Sequence, residues 1–439
     1  MAKPASHSTL TSTGSSWGAS FALICALILF ATQLTQAQTF TVLHTFTGGQ
    51  DGGAPFSGLA LRGNNLYGAT YGGGTGGTCY LGCGTVFKLT KRGSTWLFTP
   101  LYEFHNAPDG NFPAGVVIGP DGTLYGTTYG GGITGGNCIL DVNGCGTVFQ
   151  VRPPATFCAT AFCPWNETVL YRFRGQNGDA GGPYNGDLIF DGAGNIYGTT
   201  ESGGAYQWGA AYKLTPSQGG WTESVIYSFN ASGPQGWGVP QTGLIMDQAG
   251  NLYGTTIWEN QYAFGVTYQL TPSQSGYTGN VLHAFHNDVN GYLPQALIFD
   301  PAGNILGATA GAGPFNNGTV YKLLVSEGWS LDTIYSFGRN EGATENRLTM
   351  DAAGNLYGTA PTGGPYLSGA VFKLTPSGSG YIYTALHYFT GGSGGQYPYG
   401  SVTIDANGNL YGTTEAGGNL DDCLSEFGGG CGVVWEITP

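Results

Sequence analysis

The sequence predicts an all-β protein in which residues 38–439 fold as a single seven-bladed β-propeller of four-stranded antiparallel blades. Three observations predict this fold: seven copies of one sequence unit, four strand-like segments in each unit, and chain ends that together make up one unit. Repeated units that contain several strands and no helix are typical of radial architectures, in which each sheet buries one face against the next.

Each unit carries the same short motif, an apolar and aromatic run that ends in Gly followed by Thr or Ala. Its copies occupy residues 65–70, 123–128, 195–200, 251–256, 304–309, 355–360 and 409–414, with Leu306 in place of the motif's Tyr in the fifth copy. Around the motif lie four segments, which we name strands a to d. In the fourth unit they are residues 243–247, 251–256, 265–271 and 280–285. β-Branched and aromatic residues fill them, and turn-forming residues separate them.

Strand d ends in Phe in every unit, with Tyr or His two positions earlier on the same strand face. The Phe residues are Phe46, Phe104, Phe173, Phe229, Phe285, Phe337 and Phe389. We expect them to form a packed layer between neighbouring sheets, where burial of each ring contributes roughly 1.5–3 kcal/mol. His44, His283 and His387 fall in the preceding column and are interpreted as histidines at the core edge rather than as ligands.

The junction between strands a and b reads Asp-x-Ala-Gly-Asn in most units. The recurring aspartates are Asp191, Asp247, Asp300, Asp351 and Asp405. An Asp side chain can accept the backbone N–H groups that follow it, and Gly and Asn tolerate a positive φ. Calcium is the alternative, but Ala at the third position removes one of the alternating oxygen ligands that such a loop needs. The pattern therefore favours turn capping, and we expect no metal.

The two ends of the mature chain are complementary. Residues 41–46 form a lone strand d, and residues 433–438 form a strand c with no strand d after it. We expect these segments to complete one blade together, which closes the ring and removes two sheet edges. A solenoid would instead need capping repeats.

The N-terminus predicts export. Residues 1–20 are polar with Lys3, residues 21–31 are almost wholly apolar, and small residues lead to Ala37. We interpret residues 1–37 as a secretory signal peptide cut near Ala37. The alternatives are a lipoprotein signal at Cys25, disfavoured by Ile24 before it, and an uncleaved anchor helix, which this short run barely allows.

The charge balance excludes classes of partner. Cleavage of the signal peptide removes one basic residue, Lys3, and leaves 12 basic and 26 acidic residues, so the formal net charge of the mature chain is 12 − 26 = −14. Binders of nucleic acid or of anionic membrane surfaces need basic patches, so neither is expected as a partner. We expect a monomer that does not associate with the membrane after signal cleavage.

Eight cysteines remain after cleavage, in four close pairs: Cys79/Cys83, Cys138/Cys145, Cys158/Cys163 and Cys423/Cys431. An even count in local pairs on an exported chain predicts disulfides. Each bond would close only a short loop and so stiffen that loop rather than hold the fold together. Zinc is the alternative, but none of the pairs has the two-residue gap common in zinc sites.

The motifs resemble a known family. Gly-Asn-Leu-Tyr-Gly-Thr-Thr, a Gly-Gly loop and Gly-Thr-Val-Phe-Lys-Leu-Thr are similar to the GloVer tandem repeat of exported bacterial proteins, with the clearest matches at residues 251–256, 369–376 and 408–414. The Asp-x-x-Gly-Asn-Leu-Tyr turn is more loosely similar to NHL-type propeller repeats. The resemblance implies an extracytoplasmic repeat protein and carries over no catalytic residue. Because no sorting tail follows the last repeat, we expect a secreted or periplasmic protein.

Function is expected on the face that carries the d–a and b–c loops, because these loops are longer and more variable than the others. The predicted ligand-binding residues are Trp208, Trp237, Trp258, Glu201, Glu259 and Tyr292. Aromatic rings beside acids suit an extracellular polysaccharide or protein, so the predicted function is a binding or interaction module. The alternative for these rings is that they pack the loops against each other.

Two other functions remain open from the sequence. One is a polysaccharide-degrading enzyme, either a glycosidase using a pair such as Glu201 and Glu259 or a lyase using His286, Arg339 and Tyr292. The other is a structural protein of the cell envelope. No His-Glu-x-x-His or phosphate-binding Gly-Lys motif occurs, and we predict neither a cofactor nor a defined catalytic residue.

Overall fold

The computed structural model describes residues 1, 38–133, 135, 138, 144–154, 165–184, 187–232, 236–259, 264–274, 276–421, 423 and 429–439, apart from the side chain of Glu259. Apart from Met1, the predicted signal peptide lies outside the described residues, as does the predicted Cys158–Cys163 disulfide. Residues 39–438 form one compact unit. Within the described ranges, we find no helix of the length and apolar character that a membrane span requires.

The compact unit is a propeller of seven four-stranded antiparallel sheets, the blades, as the sequence predicts. The first strand, β1 (Thr39–Thr45), belongs to the last blade. Blade one contains β2 (Ala60–Arg62), β3 (Asn65–Thr70), β4 (Thr85–Arg92) and β5 (Thr95–Glu103). Blade two contains β6 (Asn111–Ile118), β7 (Leu124–Gly130), β8 (Thr147–Arg152) and β9 (Asn166–Arg172). In every blade the strands lie in the order a, b, c, d, which is also the chain order except in blade seven, where β1 supplies strand d.

Blades three to five carry small additions to the four strands. Blade three comprises β10 (Ala180–Gly181), β11 (Ile189–Phe190), β12 (Ile196–Thr200), β13 (Ser202–Gly203), β14 (Ala210–Ser217) and β15 (Gly220–Ser228). Blade four comprises β16 (Trp237–Gly238), β17 (Ile245–Met246), β18 (Leu252–Thr256), β19 (Trp258–Glu259), β20 (Val266–Ser273) and β21 (Gly276–Ala284). β10 pairs with β13 and β16 with β19, so each pair joins a d–a loop to a b–c loop.

Blade five comprises β22 (Tyr292–Pro294), β23 (Ile298–Phe299), β24 (Ile305–Gly311), β25 (Thr319–Leu324), the short 3₁₀ helix η1 (Val325–Glu327) and β26 (Ser330–Ser336). Blade six comprises β27 (Thr349–Met350), β28 (Leu356–Ala360), β29 (Ala370–Ser377) and β30 (Gly380–Tyr388), and a second 3₁₀ helix, η2 (Gly392–Gly394), follows it. Blade seven contains β31 (Thr403–Ile404), β32 (Leu410–Thr414) and β33 (Val433–Thr438).

The ring closes through the two ends of the chain. β1 is the fourth strand of blade seven and pairs antiparallel with β33, with Thr39 opposite Thr438 and Thr45 opposite Val433. The predicted closure is therefore confirmed. Since each half of the pair would otherwise leave an open edge, the closure removes both.

The hydrophobic core follows the ring. In the described part of the chain it forms seven clusters, and each cluster joins two consecutive blades. One of them joins blade seven to blade one, with Phe46, Leu59 and Val434 among its members. The buried layers between blades therefore form an unbroken circle, and no blade has an unpacked face.

One packing unit recurs in every interface between blades. The Phe that ends strand d meets an aromatic ring on strand c of the next blade, for example Phe229 with Tyr268 at 5.2 Å between ring centroids. The seven pairs are Phe46–Phe87, Phe104–Phe149, Phe173–Tyr212, Phe229–Tyr268, Phe285–Tyr321, Phe337–Phe372 and Phe389–Trp435. Tilted and edge-on contacts at this distance are favourable for aromatic rings. The predicted Phe layer is confirmed.

The strand c ring in turn explains the glycine of the sequence motif. It lies directly over that glycine, so a Cβ on Gly254 would stand 2.4 Å from the Tyr268 hydroxyl and one on Gly412 would stand 2.2 Å from the Trp435 ring. Such contacts are too short for any side chain. In each of these blades, the aromatic ring packed on the motif glycine leaves no room for a side chain at that position.

The aspartate turns cap themselves, as predicted. Asp351 Oδ1 accepts the backbone N–H groups of Ala353 and Asn355, both at 2.9 Å, and Oδ2 accepts the Asn355 side-chain amide and the Tyr357 hydroxyl. Burial acts to raise the pKa of Asp351, but the hydrogen bonds from Asn355, Tyr357 and Ala353 outweigh it and hold the pKa below the ordinary value.

The fifth unit shows that this turn has an electrostatic requirement. Leu306 replaces the tyrosine there and cannot donate a hydrogen bond to Asp300. Lys322 donates to Asp300 Oδ2 instead, at 2.7 Å. The carboxylate thus keeps a donor even where the motif departs from its consensus.

The histidines of strand d lie at the core edge. His44 stacks on Phe98 with 3.8 Å between centroids, and its Nε2 lies 3.1 Å from Asp51 Oδ2. His387 stacks on Phe40 at the same centroid distance, and burial lowers its pKa to about 4. No group of three His, Cys, Asp or Glu residues placed to hold a metal ion occurs among the described residues.

We predict that Gly254→Ala lowers the free energy of unfolding by about 1–3 kcal/mol, because the added methyl group must displace the Tyr268 ring from the interface. Chemical denaturation measures the change. Gly192→Ala is the matched control, since a Cβ there meets nothing within 4 Å. Equal effects of the two substitutions would refute the role assigned to the ring contact.

We predict that removal of residues 39–46 destabilises the whole ring and not blade seven alone. The loss should exceed the roughly 3–5 kcal/mol expected from Phe46→Ala by itself, because the ladder with β33 is lost as well. Thermal melting followed by circular dichroism compares residues 39–439 with residues 47–439. An unchanged melting temperature would contradict the closure.

Candidate functional site

A central cavity of about 360 Å³ opens where strands a begin and strands b end. Its wall draws residues from six of the seven blades, which places it on the axis of the ring. It lies on the face of the d–a and b–c loops, which is the face that the sequence predicts for function. We call it the axial cavity, and its described wall includes Phe56, Tyr184, Gln241, Gln295, Glu345 and Tyr399.

Strand geometry explains why these side chains meet. In six blades a proline precedes or lies at the start of strand a, and in five of these six the residue after it is Phe56, Tyr184, Gln241, Gln295 or Tyr399. Equivalent positions of a closed repeat converge on the ring axis. Because this position differs from one repeat to the next, it gives the cavity a wall of mixed chemistry.

One side of the axial cavity is aromatic. Phe56 stacks near Tyr399 at 5.2 Å between centroids and meets Tyr184 edge-on at 6.4 Å. Tyr184 also meets Tyr129 at 5.6 Å. Behind Phe56, Tyr71 stacks on Phe112 at 4.7 Å, as the second layer of this wall. The opposite side is formed by amide and aliphatic side chains of blades four and five, including Gln241, Ile257, Leu293 and Gln295.

Glu201 is the buried carboxylate of this region. Its Oε1 accepts the Tyr129 hydroxyl at 2.5 Å, and its Oε2 accepts the Gln241 amide at 3.3 Å. Burial raises the pKa of Glu201, and the hydrogen bonds from Tyr129 and Gln241 act in the opposite direction. Glu201 was predicted as a ligand-binding residue. The structure holds its carboxylate in place between two neighbours at the edge of the cavity.

Two further carboxyl groups lie close together here: Glu345 lines the cavity, and Glu415 is near enough to Glu345 to feel its charge. Burial and then the neighbouring Glu345 raise the pKa of Glu415 to about 7. Burial also raises the pKa of Glu345. Burial, followed by the charges of Glu201, Glu415 and Glu345, raises the pKa of Tyr184. All three carboxyl groups therefore act on the same aromatic wall.

A second cavity of about 260 Å³ lies further along the axis, at the level of strands a of blades one and two. Arg347 of blade six and Asp187 of blade three line it, and they form an ion pair across it with 3.4 Å between Nη1 and Oδ2. The Arg347 guanidinium in this second cavity therefore already has an acidic partner.

Three of the four predicted disulfides are present: Cys79–Cys83, Cys138–Cys145 and Cys423–Cys431. In each pair the carbonyl of the second cysteine accepts an N–H from the segment that leads into the next strand a. These bonds join Phe112 to Cys83, Gly182 to Cys145 and Ala54 to Cys431, at 2.8–2.9 Å. The disulfides thus brace the segments that carry the aromatic wall. Bonds of this kind are typical of an oxidising extracellular or periplasmic environment.

The predicted tryptophans lie away from the axis in blades three and four. Trp208 and Trp258 are both half-buried, with 6.2 Å between their ring centroids, and Trp208 Nε1 donates to Ser232 Oγ at 3.2 Å. Trp237 is only 9% exposed and stacks on Tyr227 at 5.3 Å within the interface core. Its ring is a core element rather than a free surface.

The remaining predicted residues lie near this group. The backbone of Glu259 pairs with that of Trp237 in the β16–β19 ribbon, and its side chain lies outside the described residues. Tyr292 belongs to the next blade, where its ring covers Gly311 and lies 5.9 Å from Phe264. The structure therefore gathers Trp237, Trp258 and Glu259 by backbone pairing, but it keeps Glu201 apart from them at the axis.

The family can now be stated from comparison with known proteins. The family model of the Gloeobacter/Verrucomicrobia repeat matches residues 28–183, 141–328 and 239–439. The chain belongs to the Gloeobacter/Verrucomicrobia repeat family. This confirms the resemblance to GloVer repeats that the motifs indicate. No curated protein matches the chain significantly.

Several solved propellers have a similar fold. A protein of Bacteroides uniformis provisionally described as a 6-phosphogluconolactonase has a TM-score of 0.47 and 13% identity, over 80% of this chain and 89% of that one. A PQQ-bound aldose sugar dehydrogenase of Streptomyces coelicolor has a TM-score of 0.41 and 12% identity, over 91% of this chain and 98% of that one. The Trypanosoma rangeli sialidase, in complex with sialic acid, has a TM-score of 0.40 and 10% identity, over 92% of this chain and 59% of that one. At these values the likeness concerns the fold alone.

We predict that Glu415→Gln stabilises the protein at pH 8 by about 1–3 kcal/mol and has little effect at pH 4. The pKa of Glu415 is raised to about 7 in the folded protein from an ordinary value of 4.5. The folded state therefore holds the proton more tightly, and its stability falls as the pH rises through this range. Gln mimics the neutral acid and removes that loss.

Denaturation curves of both proteins at the two pH values measure the effect. Glu327→Gln is the control, because Glu327 is exposed in η1 and its substitution changes the net charge equally. A stabilisation of the same size at both pH values would contradict the burial of the Glu415 charge.

Proposed function

We propose that the protein is a glycan-binding module and that a glycan chain end or short segment enters the axial cavity. The observation that carries the proposal is the composition of one concave wall: aromatic rings on one side, amides on the other and carboxylates at the edge. Specific small-molecule sites are typically cavities of about 300–1,000 Å³ with apolar walls and a few placed polar groups. The axial cavity falls in this range.

The chemistry of a sugar matches each part of this wall. The C–H face of a pyranose ring is apolar and can lie on Phe56, Tyr184 or Tyr399. Its hydroxyl groups both donate and accept hydrogen bonds, which suits the amides of Gln241 and Gln295 and the carboxylate of Glu345. A protein partner would need a larger apolar or charged surface than a cavity of this volume offers.

The peripheral group of Trp208 and Trp258 forms a second candidate surface for the same function. The two half-buried indoles lie on the same loop face as the cavity, on blades three and four. Tyr292 and Glu259 belong to the same region of the ring. A long polysaccharide could contact this group while its end occupies the axial cavity.

The test is a panel of immobilised plant, fungal and bacterial oligosaccharides, followed by calorimetric titration of the ones that bind. We predict that Tyr184→Ala and Tyr399→Ala each weaken binding at least about tenfold, because each removes a stacking face. Tyr206→Ala and Tyr366→Ala are matched controls, since both tyrosines are exposed on loops outside the cavity.

Trp258→Ala tests whether the peripheral group contributes to binding in addition to the axial cavity. If it weakens binding of long but not of short oligosaccharides, the peripheral group extends the site. If only Trp258→Ala weakens binding, the site is peripheral and the assignment to the axial cavity is wrong. Absence of binding to every sugar, with a folded protein, would refute the glycan proposal.

Glycoside hydrolysis is a second candidate, favoured by the Glu345 and Glu415 pair. A carboxyl group with a pKa near 7 next to a second carboxyl group is the arrangement that retaining and inverting glycosidases use for a proton donor and its partner. Analysis of reducing ends in the same titrations detects it. Product formation that Glu415→Gln abolishes would favour the enzyme over the binding module.

We further propose that the protein acts outside the cytoplasm after export, as the disulfides suggest, and that it works as a monomer.

A further inference from the structure

We propose that the glycan bound in the axial cavity carries a free protonated amine, as in polymers of glucosamine. This inference rests on the proposed glycan-binding function and adds the charge class of the ligand. It is argued from the charged groups around the cavity and from the rings beside them.

The first observation is that two carboxyl groups, Glu345 in the cavity wall and Glu415 close to Glu345, lack partners within the described residues. Glu201 is not one of them, since Tyr129 and Gln241 both donate hydrogen bonds to it. The side chains of Glu345 and Glu415 accept no hydrogen bond and form no ion pair with any described residue. Glu345 is exposed and Glu415 is half-buried. A carboxylate that is partly removed from water without a donor, as in Glu415, is costly, and a cationic ligand group would supply the missing partner.

The second observation is the absence of competing cations. No Lys, Arg or His occurs in the described wall of the axial cavity. The guanidinium of Arg347, which lines the second cavity, already pairs with Asp187. An acidic sugar such as a uronic acid would therefore meet only like charge, and binding would be weakened by repulsion that no basic side chain offsets.

The third observation is the position of the aromatic rings relative to the acids. The charges of Glu201, Glu415 and Glu345 all act on the Tyr184 ring, which meets Phe56 and Tyr129 edge-on. A cation placed between these acids is therefore also close to ring faces, which attract it through their quadrupoles. The same rings can stack on the apolar face of the sugar that carries the amine.

A small inorganic cation does not account for these features. The cavity is much larger than an ion, and the described residues offer no group of three metal-ligating side chains there. The cavity wall also contains the amides of Gln241 and Gln295, polar groups of the kind that pair with hydroxyl groups, which a simple ammonium ion lacks. An amino sugar uses the carboxylates, the rings and the amides together.

The test is calorimetric titration of residues 38–439 at about pH 6 with two ligands of equal length, the tetramer of glucosamine and the tetramer of N-acetylglucosamine. The two share the same sugar backbone and differ at the nitrogen, which is a charged amine in the first and a neutral acetamide in the second. We expect the glucosamine tetramer to bind about tenfold or more tightly, the effect of roughly one additional charge pair in a partly buried site. Because the amine stabilises the ionised carboxylates, its binding should also release protons, detected as a dependence of the binding heat on the buffer.

Substitutions assign the preference to the cavity. Glu345→Gln should remove most of it, because the affinity for the glucosamine tetramer should fall far more than the affinity for the N-acetylated tetramer, and Glu415→Gln should have a similar effect. Glu327→Gln, with the same loss of charge on an exposed turn, should leave the preference intact. A melting curve of each variant verifies that it is folded.

The outcomes separate the two proposals. Equal affinity for both tetramers would overturn the amine inference and leave the glycan-binding function standing. A preference that survives Glu345→Gln and Glu415→Gln would overturn the inference as well, since it would reflect general attraction to an acidic protein. Binding of neither tetramer, nor of any sugar in the panel, would overturn both proposals.

Discussion

The fold depends on one contact made seven times: the ring at the end of strand d of one blade against the ring on strand c of the next, with a glycine of strand b beneath the second ring. This contact fixes three things together. It sets the distance between blades, it fills the interface with fully buried aromatic surface such as Tyr268 and Trp435, and it requires the glycine of the motif. Because every interface uses the same kind of contact, each blade packs on the next in the same manner around the ring.

The closed ring then determines where function can arise. Each repeat sends the residue before strand a and the residue after strand b toward the axis, so seven repeats deliver equivalent positions to one place. Most of the repeat is constrained by packing between blades, whereas these two positions differ from one repeat to the next. The residue that follows the sequence motif of strand b is Tyr71, Tyr129 or Glu201 in the first three blades and Glu415 in the last. Aromatic and acidic chemistry is therefore concentrated on blades three, six, seven, one and two, and the disulfides brace much of that side.

The electrostatics of the molecule serve two different purposes. The aspartates of the a–b turns receive up to four hydrogen bonds each, and their depressed pKa values reflect local stabilisation of the charge. The carboxyl groups near the axial cavity have raised pKa values because burial is not offset by donors. Charges of the first kind stabilise the fold, whereas those of the second kind reduce stability at neutral pH. Such a cost is common at sites that bind or react.

The strands, the seven blades and the turn capping could be predicted because they repeat. The ring closure could be predicted because the two chain ends supply complementary strands. A pattern seen seven times, such as the Phe of strand d, separates packing from chance within a single sequence. The pairing of local cysteines was accessible for the same kind of reason, since short sequence separation nearly fixes the partner. The site was predicted only in part: the loop face and Glu201 were identified, but Phe56, Tyr184 and Glu345 were not.

The sequence by itself thus determined the architecture and the face on which the loops gather. Only the tertiary structure decided which loop residues meet, because convergence on the axis depends on how far each side chain lies from the centre of the ring. Trp237 and Tyr184 illustrate the difference. Both occupy d–a loops, yet the first is buried between blades three and four and the second lines the cavity. The direction in which each loop leaves its strand places one ring in the core and the other at the axis, and no local pattern of residues encodes that direction.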